Sequence, residues 1–357
     1  MVNRILDKFN PLYRLGFGKP RQLLGVDIGT TSIKVCLLKK TKEGRFALSG
    51  LACRSYNHDL LHDGNIIDRP FVAQELKDLR NNGSIRTRNA ASALSSYSVI
   101  TKRVTMPFLE KEALESAVKI EVENIIPFPL KDIYYSYDIM GADEEKERMM
   151  NLLIVAAKKE IVEGYIKTFE LAGLNLCVLD VDIFAITNLI EQIYKPESHS
   201  ILAADIGASV TNIAIVKGVN IEFTREILVG GKYITSELAK TQRLTPGEAE
   251  EKKLKSDDDA TVVFYDFIAN ISSEINKTVN FYVATKPRET VGKIYLTGGS
   301  SLVPGLRKQI ESDTGIGVEF LNPFLYLDDN GSIGTEAHQE FFMPVALSLS
   351  TRRNESV

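Results

Sequence analysis

Two aspartates in matching surroundings carry the chemistry of this sequence. Asp27 ends the apolar run Leu23-Leu24-Gly25-Val26 and is followed by Ile28, Gly29, Thr30, Thr31 and Ser32. Asp205 ends Ile201-Leu202-Ala203-Ala204 and is followed by Ile206, Gly207, Ala208 and Ser209. A carboxylate delivered at a strand end can hold a hydrated Mg²⁺ ion, directly or through its water. A glycine two positions later permits a tight turn and lets a phosphate approach the backbone. Successive amide N–H groups at such a turn form an anion-binding concavity. The hydroxyls of Thr30, Thr31, Ser32 and Ser209 add donors. Two such turns facing each other would clamp a polyphosphate from both sides. The glycine spacing fits neither a P-loop nor a dinucleotide-binding G-x-G-x-x-G.

The turns belong to a longer internal repeat, and such repeats reveal architecture. Leu24 to Lys39 and Leu202 to Lys217 align without a gap: apolar strand, Asp, Ile, Gly, small residue, hydroxyl residue, alternating strand. Around them the chain reads as mixed α/β. Val99–Met106 reads as a strand, Glu110–Ile126 as an amphipathic helix ended by Pro127 and Pro129, and Tyr134–Met140 and Met150–Ala157 as two strands. Lys159–Ala172 reads as a helix stopped by Gly173, and Leu176–Val181 as a strand. This run suggests a small α+β subdomain over about 100–182. Helices are expected at Phe71–Arg80, Ile183–Tyr194, Tyr233–Leu244, Pro246–Leu254 and Phe264–Ala284, with a charged loop at Lys255–Asp259 and a strand at Lys293–Thr297. No low-complexity linker separates the halves, which predicts a tight interface between them.

Bulk properties exclude other classes. Apolar residues make up 44% and charged residues 25% of 357, with a net charge of −4. That is ordinary for a globular protein and lacks the basic excess of a nucleic-acid binder. The three cysteines are widely spaced and form no zinc pattern with the four histidines, which fits a reducing compartment. No stretch is long and apolar enough to span a bilayer. The first 22 residues carry Arg4, Lys8, Arg14, Lys19 and Arg21 against Asp7, which is unlike a signal peptide. Their apolar face fits either contact with an anionic membrane surface or an arm packed on its own domain, the second being the expectation.

With Leu296-Thr297-Gly298-Gly299-Ser300-Ser301-Leu302-Val303-Pro304-Gly305 added to the two turns, the sequence resembles the superfamily of actin, sugar kinases and heat-shock ATPases. Its phosphate-1, phosphate-2 and adenosine motifs resemble these three segments. The resemblance implies ATP with Mg²⁺ and a two-lobed, actin-like (ribonuclease-H-like) α/β fold with an inserted α+β subdomain. It implies nucleotide contacts from Gly29, Thr30, Thr31, Ser32 and Lys34 on one side and Gly207, Ala208 and Ser209 on the other. Gly298, Gly299 and Ser300 would lie against the nucleoside, and Glu250 with Lys253 has the spacing of a nucleoside-gripping Glu-x-x-Lys. Charged pairs at this spacing are also common on solvated helix faces. Asp182-Ile-Phe-Ala185 resembles the segment whose acid orients the attacking water, so Asp182 is the candidate catalytic carboxylate, with Asp180 as the alternative. A helix N-cap is the competing reading of Asp182.

Within that superfamily the sequence resembles the PilM family of type IV pilus assembly, related to FtsA. The residues are the opening Leu24-Gly-Val-Asp27-Ile-Gly29-Thr-Thr-Ser-Ile-Lys34 and the helix ending Ile120-Glu-Val-Glu-Asn-Ile-Ile-Pro127-Phe-Pro-Leu130. The insertion between the phosphate motifs matches as well. The implied organisation is an arm over 1–22, a first lobe over 23–99, a peptide-docking subdomain over 100–182, a connecting helix over 183–200, a second lobe over 201–333 and a returning segment over 334–357. The implied role is a cytoplasmic ATP-binding scaffold at the inner face of the inner membrane, with turnover slow at most. It would dock the N-terminal peptide of a PilN-like membrane protein, link indirectly to PilO and the pilus motor, reach the membrane through partners, and leave room for self-association. Phe128, Leu130 and Tyr135 are groove candidates, although core packing is the expected role of these residues. Departures include Val345-Ala-Leu-Ser-Leu-Ser350, which lacks a glycine common in the family's last segment, and Ala208, where a polar residue could have donated. A small-molecule kinase and an FtsA-like division filament protein are the alternatives.

Overall fold

The computed structural model describes residues 22–83, 85–143, 146–193, 199–218, 220–255, 261–328 and 344–351. The expected basic arm apart from Gln22, the loop after Lys255, and the segments over 329–343 and 352–357 lie outside these residues.

The strands are β1 (Leu24–Ile28), β2 (Ser32–Lys40), β3 (Phe46–Ser55), β4 (Leu61–His62), β5 (Asn65–Ile66), β6 (Asn89–Leu94), β7 (Val99–Pro107), β8 (Ile133–Ala142), β9 (Met149–Lys158), β10 (Asn175–Val181), β11 (Ser200–Ile206), β12 (Thr211–Lys217), β13 (Asn220–Ile227), β14 (Val291–Thr297) and β15 (Val318–Phe320). The α-helices are α1 (Arg69–Asn82), α2 (Lys111–Ile125), α3 (Lys159–Leu171), α4 (Asp182–Ile193), α5 (Lys232–Gln242), α6 (Pro246–Lys255), α7 (Thr261–Thr285), α8 (Leu306–Thr314) and α9 (Pro344–Thr351).

The repeat in the sequence is a repeat in space. One sheet runs β10-β6-β1-β2-β3 and the other β13-β12-β11-β14-β15. In each, the Asp-bearing strand pairs antiparallel with the strand after its turn and parallel with a strand on its other side. Both central strands are almost wholly buried, which is why they read as continuous apolar runs rather than alternating ones. The registers match as well: Asp27 faces Lys34, and Asp205 faces Asn212.

Local chemistry sets the helices. Asp68 caps α1 by accepting from the Phe71 N–H at 2.9 Å, and Pro70 occupies its first turn, where no amide is missed. Helix α2 buries Leu114, Val118 and Val122, one turn apart, against the third sheet, β7-β9-β8. That sheet and α2 form a separate core including Met106, Ile133, Met150, Leu152 and Ile154.

This separate layer is shorter than the sequence suggests. The expected subdomain over 100–182 ends, as an independent sheet, at Lys158. Strand β10 pairs parallel with β6 in the first sheet, and α3 buries Ile161, Val162, Tyr165 and Phe169 in the first core. The physical reason is that β10 is buried along nearly its whole length, which only a central layer can satisfy.

The first core continues into Ala203, Ala214, Val216 and Tyr295 of the second half through α4. The halves therefore share packed apolar surface, as the lack of a linker suggests. Helix α9 returns to β1 and β2. The Ser350 hydroxyl donates to the Leu23 carbonyl at 2.8 Å and accepts from the Leu38 N–H at 2.9 Å. A Cβ at Gly25 would lie 1.8 Å from the Ala346 carbonyl oxygen, so the strand's glycine permits the close approach of α9.

Candidate nucleotide site

The two turns close in the same way. The Gly29 N–H donates to the Ser32 carbonyl at 2.8 Å, and the Gly207 N–H to the Val210 carbonyl at 3.0 Å. Around the first turn, the carbonyls of Thr30 and Thr31 accept from the amides of Leu60 (2.7 Å) and Tyr56 (2.8 Å). Its Asp27 is held by Lys34 Nζ at 2.7 Å. Burial works against the lysine charge, but the adjacent Asp27 carboxylate outweighs it and holds the Lys34 pKa above the ordinary value.

Around the second turn the brace is one that sequence reasoning missed. The Gly231 N–H donates to the Gly207 carbonyl at 3.0 Å, the Lys232 N–H to the Ala208 carbonyl at 2.8 Å, and the Ser300 hydroxyl to the Gly207 carbonyl at 2.8 Å. The Gly230-Gly231 pair was the available signal, since a Cβ on Gly230 would come within 2.6 Å of the Ala208 backbone and one on Gly231 within 2.2 Å of Ser300 Oγ. Gly298 has φ +85°, and a Cβ there would lie 2.4 Å from Asp205 Oδ1. Gly299 faces open space. Glu250 and Lys253 are not a plain solvated pair: Lys253 Nζ meets Glu250 at 2.6 Å and Thr235 Oγ1 at 3.1 Å, on the side of Gly231.

Asp182 lies at the start of α4 where the sheets meet. It accepts from the N–H groups of Ser96 (3.0 Å) and Ile183 (2.6 Å) and from the Ser96 hydroxyl, and its other oxygen accepts from Asn212 Nδ2 across the cleft at 3.0 Å. The side chain thus sits at the helix start, without capping the amides two or three residues on, and also faces the second sheet. Desolvation, with the charge of Asp205 nearby, pushes its pKa up to about 7. Asp205 is pushed to about 6 by desolvation and by Asp27. Asp180 instead lies buried in β10 and accepts from the Val181 N–H. Sequence reasoning also missed Ser96, Asn212 and Tyr165. The Tyr165 hydroxyl is buried, has no hydrogen-bond partner, and is raised in pKa by burial and by the charges of Asp27 and Asp182. Asn212 Oδ1 is likewise unpartnered. Buried polar atoms left this way mark a place for a polar ligand or water.

The donor set fits a magnesium-bound nucleotide. Two carboxylates lie at the ends of facing strands, amides line both turns, and glycines leave room where a Cβ would intrude. The groove candidates divide: Leu130 and Tyr135 pack against the third core, whereas Phe128 is exposed beneath Lys158 Nζ, 4.8 Å above its ring.

Comparison with known proteins decides the family. The family model described as type IV pilus assembly protein PilM matches residues 25–351. The chain belongs to that family. A solved structure described as a PilM-PilN type IV pilus biogenesis complex superposes with TM-score 0.84 at 27% identity, covering 93% of this chain and 98% of that one. The ethanolamine utilization protein EutJ from Carboxydothermus hydrogenoformans shares the fold, with TM-score 0.58 at 16% identity, covering 93% and 89% of the two chains. The cell division protein FtsA of Streptococcus pneumoniae serotype 2 (strain D39 / NCTC 7466) is 23% identical over 257 residues, 64% of this chain. That match spans 54% of FtsA, about half its length. This PilM-family chain thus has the actin-like two-lobed α/β fold expected from its motifs. Among its described residues, no helix is long and apolar enough to cross a membrane.

Proposed function

We propose that this PilM-family chain is an ATP-binding scaffold of type IV pilus assembly at the inner face of the inner membrane. It docks the N-terminal cytoplasmic peptide of a PilN-like protein, and through it PilO and the pilus motor. The carrying observation is the pair of matching glycine turns with Asp27 and Asp205 at their strand ends, in a fold matched by a PilM-PilN complex.

Magnesium ATP, when bound, supplies a polyphosphate chain and the divalent charge that neutralises it. Asp27 and Asp205 would hold the metal, directly or through its water. The amides of Thr30 to Ser32 and of Ala208 and Ser209 would donate to phosphate oxygens, with the Gly29 and Gly207 amides closing the turns and Lys34 holding Asp27 in place. Gly298, Gly299, Ser300, Glu250 and Lys253 would enclose the nucleoside side. Asp182, whose pKa of about 7 lets it exchange a proton near neutrality, orients a water with Asn212. Slow turnover suits a scaffold, because occupancy rather than catalytic flux sets the state.

The peptide reading rests on an open depression of about 510 Å³ beside the third sheet, lined by Arg69, Glu160, Glu163, Lys167 and Glu170. Tyr134 of β8 reaches it, its hydroxyl 3.3 Å from Glu163. Nucleotide acts on docking only if it binds the docking-competent state more tightly. Titrating a synthetic PilN-like N-terminal peptide with and without Mg·ATP tests both parts. Equal affinities refute the switch, and absence of binding in either condition refutes the docking. The similarity to FtsA keeps a division filament as the second reading, which sedimentation with liposomes in the absence of a partner would favour.

A further inference from the structure

Asp59 lies in the loop between β3 and β4, one residue before Leu60, whose amide donates to the Thr30 carbonyl of the first turn. Lys232 opens α5 in the other lobe, and its own amide donates to the Ala208 carbonyl of the second turn. Their side chains meet across the cleft: Lys232 Nζ is 2.6 Å from one Asp59 oxygen and 2.8 Å from the other. A continuous chain of contacts therefore runs from the first turn to the second through Leu60, Asp59 and Lys232.

Lys232 is also out of place by local rules. A cation in the first turn of a helix opposes the positive end of the helix dipole. Residues that break a local rule tend to mark functional sites. Here Asp59 answers both charges at once, the ammonium of Lys232 and the N-terminus of α5. Other contacts cross between the sheets, such as Asp182 with Asn212. Asp59 and Lys232 differ in joining two charged side chains whose own backbones, or immediate neighbours, brace the two turns.

We infer that Asp59 and Lys232 form a latch that holds the two glycine turns at a fixed separation and slows release of the nucleotide held between them. The inference rests on the nucleotide reading above. Both side chains are about 40% exposed, so the latch is a weak, salt-sensitive one. Such a pair opens without disturbing either core. Asp59 and Lys232 are positioning residues, acting through the turns.

The test is the rate at which a fluorescent ATP analogue is released into excess ATP with Mg²⁺ at low salt. Asp59→Ala and Lys232→Ala should each speed release about two- to five-fold, the range of an exposed ion pair. The exchanged pair Asp59→Lys with Lys232→Asp should return release to within about two-fold of the original rate. A rescue by charge exchange would not follow from a merely structural role. Release unchanged in both single variants, or no recovery in the exchanged pair, overturns the latch. Amide hydrogen exchange on nucleotide-free protein separates this from failure of the nucleotide reading. Each single variant should raise exchange at both Leu60 and Lys232, in opposite lobes, and the exchanged pair should restore both. If the protein bound no nucleotide, the functional reading would fall, while exchange confined to the mutated lobe would overturn the latch on its own.

Discussion

Gly298 and its neighbour Gly299 make a matched pair of perturbations. At Gly298 the backbone is left-handed, with φ +85°, and a Cβ would lie 2.4 Å from Asp205 Oδ1 and 2.5 Å from the Ile206 carbonyl oxygen. An L-residue held in that region costs about 1–3 kcal/mol, and displacing packed neighbours about 1–3 kcal/mol more, so Gly298→Ala should destabilise the fold by about 2–6 kcal/mol. The displaced neighbour is Asp205, the second carboxylate of the proposed metal site, so nucleotide binding should fall too. Gly299→Ala is the contrast. Nothing lies within 4 Å of its Cβ, and no left-handed backbone is required. Its stability should stay within about 1 kcal/mol of the original, while nucleotide affinity falls because the methyl fills the nucleoside side. The assay is urea unfolding followed by circular dichroism, paired with titration of a fluorescent ATP analogue. An unperturbed urea midpoint for Gly298→Ala would refute the reading of the turn. Unchanged nucleotide affinity for Gly299→Ala would refute the placement of the nucleoside.

Lys34→Met leaves Asp27 without its cation at a site where both side chains are about 15% exposed, which should cost about 3 kcal/mol and be visible as a lowered urea midpoint. Asp182 has a folded-state pKa raised to about 7, so its contribution to stability is fully present below the unfolded carboxylate value and is lost as pH rises towards 7. Asp182→Asn should therefore gain stability relative to the original protein as pH goes from about 4 to about 7, measured by unfolding across that range; a difference independent of pH would contradict the shift. Gly25→Ala places a Cβ 1.8 Å from the Ala346 carbonyl and should loosen α9 from β1, read as faster hydrogen exchange at the Leu38 amide that Ser350 protects.

Much of the site was legible because the sequence repeats. Asp27 and Asp205, with glycines two positions on, predicted matching hairpins, and the registers Asp27–Lys34 and Asp205–Asn212 bear this out at the level of backbone pairing. Elements with strong periodicity, such as α2 with its buried Leu114, Val118 and Val122, were legible for the same reason. What escaped is non-local. Gly230-Gly231 is an unremarkable dipeptide until the Gly207 carbonyl is seen to accept from it. Asp59 and Lys232 become partners only across the cleft, and Ser96, Tyr165 and Asn212 meet the site only after two sheets assemble. The subdomain boundary was misplaced because a strand's sheet membership depends on pairing: β10 finds β6, far away in sequence, and not the nearer β9. Burial on both faces was the one local hint, visible in Leu176–Val181 as an apolar run broken by a single acid.

Equilibrium titration of the purified protein with a fluorescent ATP analogue, with and without Mg²⁺, alongside the near-isosteric double variant Asp27→Asn with Asp205→Asn, bears most directly on the clamp between the two turns. The expected result is saturable binding that Mg²⁺ strengthens, that unlabelled ATP displaces, and that the double variant loses while remaining folded. Absence of saturable binding in the original protein, or undiminished Mg²⁺-dependent affinity in the double variant, would contradict it.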